Sequence, residues 1–306
     1  MRKTRAIFAV AVGLAIIVSL YACPSHKQPN PDPNKPDSSK TTVQTNLRDS
    51  LPYNVVIEKT DSVLDTQIRR EFDKFSWQSF IALNWPTDSA ETIGEHGDNK
   101  TVWETWKENY QVFLPDGSKP APWDTAKQGL KKLLVQVGKT PTVLTDVTQP
   151  FLTGPLIDQN GQYTRFQIVM NKEMFDYIDT NTLYNYQGQL AFKKTIDFPG
   201  GDNPTKVHGG IMVKASWKIM GKGDDPARFH TAKATIHVPA IPQRHIKDTT
   251  FEATVGLVGL HIGTKSKTNP QWIWSTFEQV DNCPTFGEPD NGPSNFYDKS
   301  ATGRKI

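Results

Sequence analysis

The chain has 306 residues, 36% of them hydrophobic, with 22 Pro, 21 Gly and two Cys, which suits one or two globular domains and excludes a collagen, a coiled coil or a disulfide-stapled miniprotein. Its formal charge of +3 arises at the start of the chain: Arg2, Lys3 and Arg5 stand in the first 22 residues, where there is no acid, and the remainder carries 32 basic against 32 acidic residues. A neutral remainder gives no electrostatic reason to bind nucleic acid, and no such partner is expected.

Residues 1–22 combine that basic start with an apolar run over 6–20 and a small residue, Ala22, before Cys23. This order reads as a signal peptide rather than a piece of fold. The run is shorter than the ~20 residues of a spanning helix, and Pro24 follows at once. Leu20-Tyr21-Ala22-Cys23 resembles the bacterial lipoprotein signal, which implies that Cys23 becomes the acylated first residue and anchors the mature chain in a membrane. Residues 23–50 set Pro24, Pro29, Pro31, Pro33 and Pro36 among polar side chains. With almost nothing apolar to bury, they are expected to form a disordered tether. Pro24-Ser25-His26-Lys27-Gln28 lacks the acidic cluster of surface-exported lipoproteins, so the expected location is the outer membrane, facing the periplasm.

A single α+β domain is expected over residues 51–282. In residues 61–85, Leu64, Ile68, Phe72 and Phe75 fall on one helical stripe that Trp77, Phe80 and Ile81 widen. Ser62 with Asp65 resembles a cap, and Pro86 closes the run. Thr101 and Glu104 form a capping box ahead of Trp103, Trp106, Tyr110 and Phe113, with Pro115-Asp116-Gly117 as the stop. The pattern therefore predicts two N-terminal amphipathic helices packed on a sheet. After Pro122, turn residues recur among β-branched ones, predicting strands over 163–170, 210–220, 229–238, 251–264 and 271–280, with a helix near 172–178. Residues 255–262 are apolar on both parities, which reads as a strand covered on both faces. Residues 265–270 read as a hairpin loop, the sheet as largely antiparallel, and 283–306 as an irregular or disordered tail.

Five histidines, His208, His230, His237, His245 and His261, fall in the sheet region, and imidazole is the commonest metal ligand. Alternation puts His230 and His237 on opposite faces. His261, in the doubly apolar strand, reads as a buried histidine paired with Ser275 or Glu278; the alternative is a metal site or general base in which His208 and Glu278 join it. His208, His261 and Glu278 are thus the candidate catalytic or metal-binding residues. The loop 197–204, which leads to His208-Gly209-Gly210, could hold a cation, although turn chemistry explains the same residues. Residues 259–266 miss the phosphate-loop spacing by one. Trp103 and Trp106 read as core, whereas Trp272 and Trp274 share a strand face that could serve as a sugar platform. Glu252 and Glu278 have no recognisable glycosidase spacing, and Cys283 is a lone thiol. There is no Gly-x-Ser-x-Gly and no Cys-x-x-Cys-His, so no covalent c-type haem is expected.

The stretches 75–86, 213–217, 256–261 and 274–282 resemble an uncharacterised group of bacterial envelope lipoproteins, some described as cytochrome c-like for haem-attachment motifs that this chain lacks. The resemblance brings no catalytic residue with it. Two functions stay open: a lipid-anchored binding or accessory module, or an envelope enzyme, hydrolytic or redox, using the His208/His230/His261 region with Glu278 or Asp281. Whether the ligand is a small molecule, a glycan or a protein is undetermined, as is any cofactor.

Overall fold

Residues 249–265 are rich in Thr, Val, Leu and Gly and form one long strand around which the sheet is ordered. The computed structural model describes residues 50–57, 65–87, 93, 100–125, 132–134, 156–238, 240, 247–269, 271–284 and 294–296. The signal, nearly all of the tether with Cys23, the cap at Ser62, His245 and most of the tail lie outside them. All described residues belong to one compact unit, Asn46–Ile306, and among them no helix is long and apolar enough to cross a membrane.

Seven strands are described: β1 (Lys107–Glu108), β2 (Lys132–Leu134), β3 (Arg165–Met170), β4 (Ile211–Ile219), β5 (Thr231–Val238), β6 (Thr249–Lys265) and β7 (Trp272–Glu278). Their order is β1-β3-β4-β6-β5-β2, with β7 also on β6. Every pairing is antiparallel except β2 with β5. β2 comes back into contact with β3, so the sheet curls around a core that includes Trp103, Leu134, Val213, Trp217, Ile236 and Ile262. The fold is mixed α+β with a largely antiparallel sheet.

The double parity of residues 255–262 has a different cause from the expected one. Along one edge β6 pairs with β4, and the register jumps from Ser216↔Gly259 to Trp217↔Leu257, leaving Val258 as a bulge. An extra residue shifts every later side chain to the other face. Val255 therefore faces the core before the bulge and Leu260 and Ile262 face it after, while His261 points outward. On its other edge β6 pairs with β5 up to Gly256 and with β7 from Gly259. The bulge thus lies where the partner changes, and the Val258 carbonyl accepts from Gln279 N (3.1 Å) and Asn282 Nδ2 (2.8 Å).

The first expected helix forms as α1 (Asp65–Leu83). It lays Trp77 and Phe80 against Phe277 of β7, at 5.1 and 4.3 Å between ring centroids, and Ser275 Oγ donates to Ser76 Oγ at 2.7 Å. The second expected helix is broken. Glu104 Oε2 does accept from Thr101 N, but the reciprocal bond of the expected capping box is not made: Val102 is the N-cap, without a side-chain bond, and only a single 3-10 turn follows, Trp103–Thr105. Lys107 and Glu108 are then drawn into pairing with Met170 and Val169, and Glu108 caps a fresh one-turn helix, α2 (Asn109–Val112). Helical spacing was satisfied by aromatic residues whose burial is achieved another way. Two further helices follow β3: α3 (Lys172–Thr180), capped by Asn171, and the unforeseen α4 (Tyr186–Ala191), capped by Asn185.

Candidate functional site

His208, His261 and Glu278 do not meet. In the β6/β7 ladder His261 pairs with Thr276 and Glu278 with Gly259, so His261 and Glu278 share the outward face. His208 belongs to the other end of the ladder, where its neighbour Gly209 abuts the Lys265 carbonyl; six residues of strand put about 20 Å between the ends. Among the described residues no three His, Cys, Asp or Glu side chains are placed to hold one metal ion. The histidines have separate partners. His261 Nδ1 lies 2.8 Å from Thr276 Oγ1, a hydroxyl as expected but not that of Ser275, because the bulge turns His261 outward. His230 Nε2 lies 2.9 Å from Glu104 Oε2, and His237 Nε2 lies 3.0 Å from Asp248 Oδ2. The His208 ring stacks on Tyr53 at 4.4 Å, its Nδ1 is buried without a hydrogen-bond partner among the described residues, and burial pulls its pKa below the usual imidazole value against the opposing charge of Glu173.

The loop leading to His208 is held by turn chemistry and ion pairs. Thr205 Oγ1 donates to Asp202 at 2.8 Å, Lys267 pairs with Asp202 at 3.3 Å, and Lys265 pairs with Asp197 at 3.1 Å. Gly201 passes so close to Tyr53 that a Cβ there would strike its carbonyl oxygen. Residues 259–265 are strand rather than phosphate loop. Trp103 and Trp106 are core, while Trp272 and Trp274 lie 6.2 Å apart on the outward face, Trp274 being 57% exposed. The opposing Gly263 lets the Trp274 indole lie down on the strand, since a Cβ would stand 3.1 Å from its ring.

A concavity lies elsewhere among the described residues. A cleft of about 380 Å³ is lined by Lys100, Glu104, Thr105, Lys107, Trp123, Asp124 and Thr125, a volume within the usual range for small-molecule sites. The 3-10 turn supplies Glu104, whose side chain is 6% exposed and whose Oε2 accepts from Thr101 N and Oγ1, both at 3.1 Å, beside His230. β1 supplies Lys107, 6% exposed, with Nζ 5.1 Å from the centre of the Phe175 ring. Burial lowers the pKa of this amine, and the charge of Asp124 opposes the shift. Trp123 packs on Phe175 at 5.6 Å, joining the cleft to the cluster of Val112, Met170, Phe175 and Ile178. In α2, just after that strand, burial and the neighbouring Glu108 carboxylate push the Tyr110 phenol above its usual pKa.

Sequence reasoning missed Lys107, although a signal was present. Lys107 follows Trp103 by four and precedes Tyr110 by three, so even in a helix it would fall on the aromatic stripe. A lysine inside an apolar stripe is the exception that marks a buried or functional charge. No protein-family model, curated protein or solved structure matches the chain.

Proposed function

We propose that this is a lipid-anchored protein of the bacterial cell envelope, held through Cys23 at the outer membrane and facing the periplasm, whose globular part acts as a binding or accessory module. The cleft beside β1 carries the binding half of this reading: it is of ligand size, and Glu104 and Lys107 are already held in place by packing and hydrogen bonds, as a preorganised site requires. The signal-like segment ending in Ala22-Cys23 and the proline-rich stretch after it support the anchor. Membrane fractionation with intact-mass measurement tests the anchor. Wild-type protein is expected in the membrane fraction with an acylated Cys23 at its start, and Cys23→Ala in the soluble fraction. Wild-type protein found unlipidated, or still carrying residues 1–22, would sink this half of the proposal.

One observation favours a second reading, an envelope enzyme. The buried Glu104 carboxylate holds the His230 imidazole at 2.9 Å, as a carboxylate orients a general base. Under that reading His230→Gln abolishes turnover of a cleft ligand while leaving its binding intact.

A further inference from the structure

Resting on the reading of the cleft as a ligand site, we infer that its ligand is a small ring-bearing monocarboxylate and that Lys107 is the counter-charge for the carboxylate. Four charged side chains line the cleft. Lys100 and Asp124 are exposed at its rim. Glu104 is committed, since one oxygen already faces Thr101 N, Thr101 Oγ1 and His230 Nε2. Lys107 is different. Its stem is buried and its ammonium rests against the Phe175 face, an interaction that uses the charge but supplies no hydrogen-bond acceptor. Among the described residues no carboxylate lies within ion-pair distance of it, and Asp124 acts on it only through space. An ammonium partly withdrawn from water without an anion is disfavoured, and here it opens onto a ligand-sized space.

The identity of the anion follows from the rest of the lining. With two lysines against Glu104 and Asp124 the cleft is formally neutral, so one added negative charge is matched by Lys107 while a second would face the carboxylates. There is no arginine fork and no helix N-terminus among the lining residues, the usual holders of phosphate. Trp123 offers an aromatic wall, and Thr105 and Thr125 offer hydroxyls, which suit a ring with polar substituents.

The test is isothermal titration of the full mature chain in detergent micelles with glucuronate, benzoate, glucose, benzamide and inorganic phosphate. At least one of the two carboxylates is expected to bind about tenfold or more tightly than its neutral counterpart, since a charge-assisted hydrogen bond is lost with the charge. Glucuronate and benzoate separate a sugar acid from an aromatic acid. Lys107→Met, which keeps the stem, should remove that preference, and Lys107→Arg should keep part of it. The comparison of charged and neutral ligands on wild-type protein stands even if Lys107→Met fails to fold. Equal binding of neutral and charged partners, unchanged carboxylate affinity in Lys107→Met, or tighter binding of phosphate would each overturn the inference while leaving a binding cleft in place. If none of the five probes binds, the inference falls and the binding reading of the cleft loses its support with it.

Discussion

His208 shows how one side chain can make stability depend on pH. Its ring lies flat on Tyr53 and its Nδ1 is buried without a partner, so the neutral form is the one the fold accepts. Burial lowers its folded pKa below the value of about 6.5 that it regains on unfolding, with Glu173 opposing. The unfolded chain therefore binds the proton first. Stability is complete above the ordinary imidazole value and falls as pH drops through it toward the lowered folded value. Thermal melts should show wild-type protein losing more of its midpoint between pH 7 and pH 5 than His208→Gln, which cannot titrate. Parallel curves for the two would show that His208 is not the group responsible.

At the scale of the element, the Val258 bulge decides which way half of β6 faces. Deleting Val258 removes a single residue from the strand but turns Leu260 and Ile262 outward. Each buried side chain of this kind contributes roughly 1.5–3 kcal/mol, and the slip would also bring outward-facing residues into the core, so the deletion should consume most of a typical stability of about 5–15 kcal/mol. Circular dichroism and solubility are expected to report an unfolded or aggregated chain. Val258→Ala, which keeps the residue count, should cost only ~1–2 kcal/mol in a denaturant melt. The same bulge marks the limit of what the sequence discloses. Strands β3 to β7 were legible because their alternation and bounding turns are local properties. The bulge was not, because a parity switch within a strand produces the same apolar pattern as a strand covered on both faces. The broken second helix was hidden because Trp103, Trp106 and Tyr110 keep helical spacing while the pairing of Lys107 and Glu108 with β3 depends on residues about sixty positions away. The cleft was hidden with it, since Lys107 reaches its place through that pairing.

At the scale of the whole molecule, Lys218 ties together distant parts of the chain. Buried at 2% exposure on β4, it donates to Asp224 Oδ1 at 2.7 Å and to Asn295 Oδ1 at 2.9 Å. Asn295 in turn donates to Gln279 and Asn282, just beyond β7. Replacing one partner of such a network leaves the others without their matching charge or donor. Lys218→Met should cost about 3–5 kcal/mol, read as a lower denaturant midpoint. Arg228→Gln, at the half-exposed pair with Asp281, should leave the midpoint nearly unchanged, because solvent screens an exposed pair. If the two variants melt alike, Lys218 is not the tie that its burial suggests.

The contact at Asn54 bears on how the molecule assembles. Its side-chain oxygen accepts from Ser266 and Thr268, 212 and 214 residues further along the chain. β1 must likewise wait for β3, and β2 for β5. A ribosome delivers each of these early segments before the surface that receives it, and the surface that receives the Asn54 side chain comes last, when β6 and β7 close their hairpin. Loop closure over such separations is slow compared with the joining of neighbouring strands. The Asn54 side chain therefore waits for these two partners through most of synthesis and is seated on them only after the C-terminal hairpin exists.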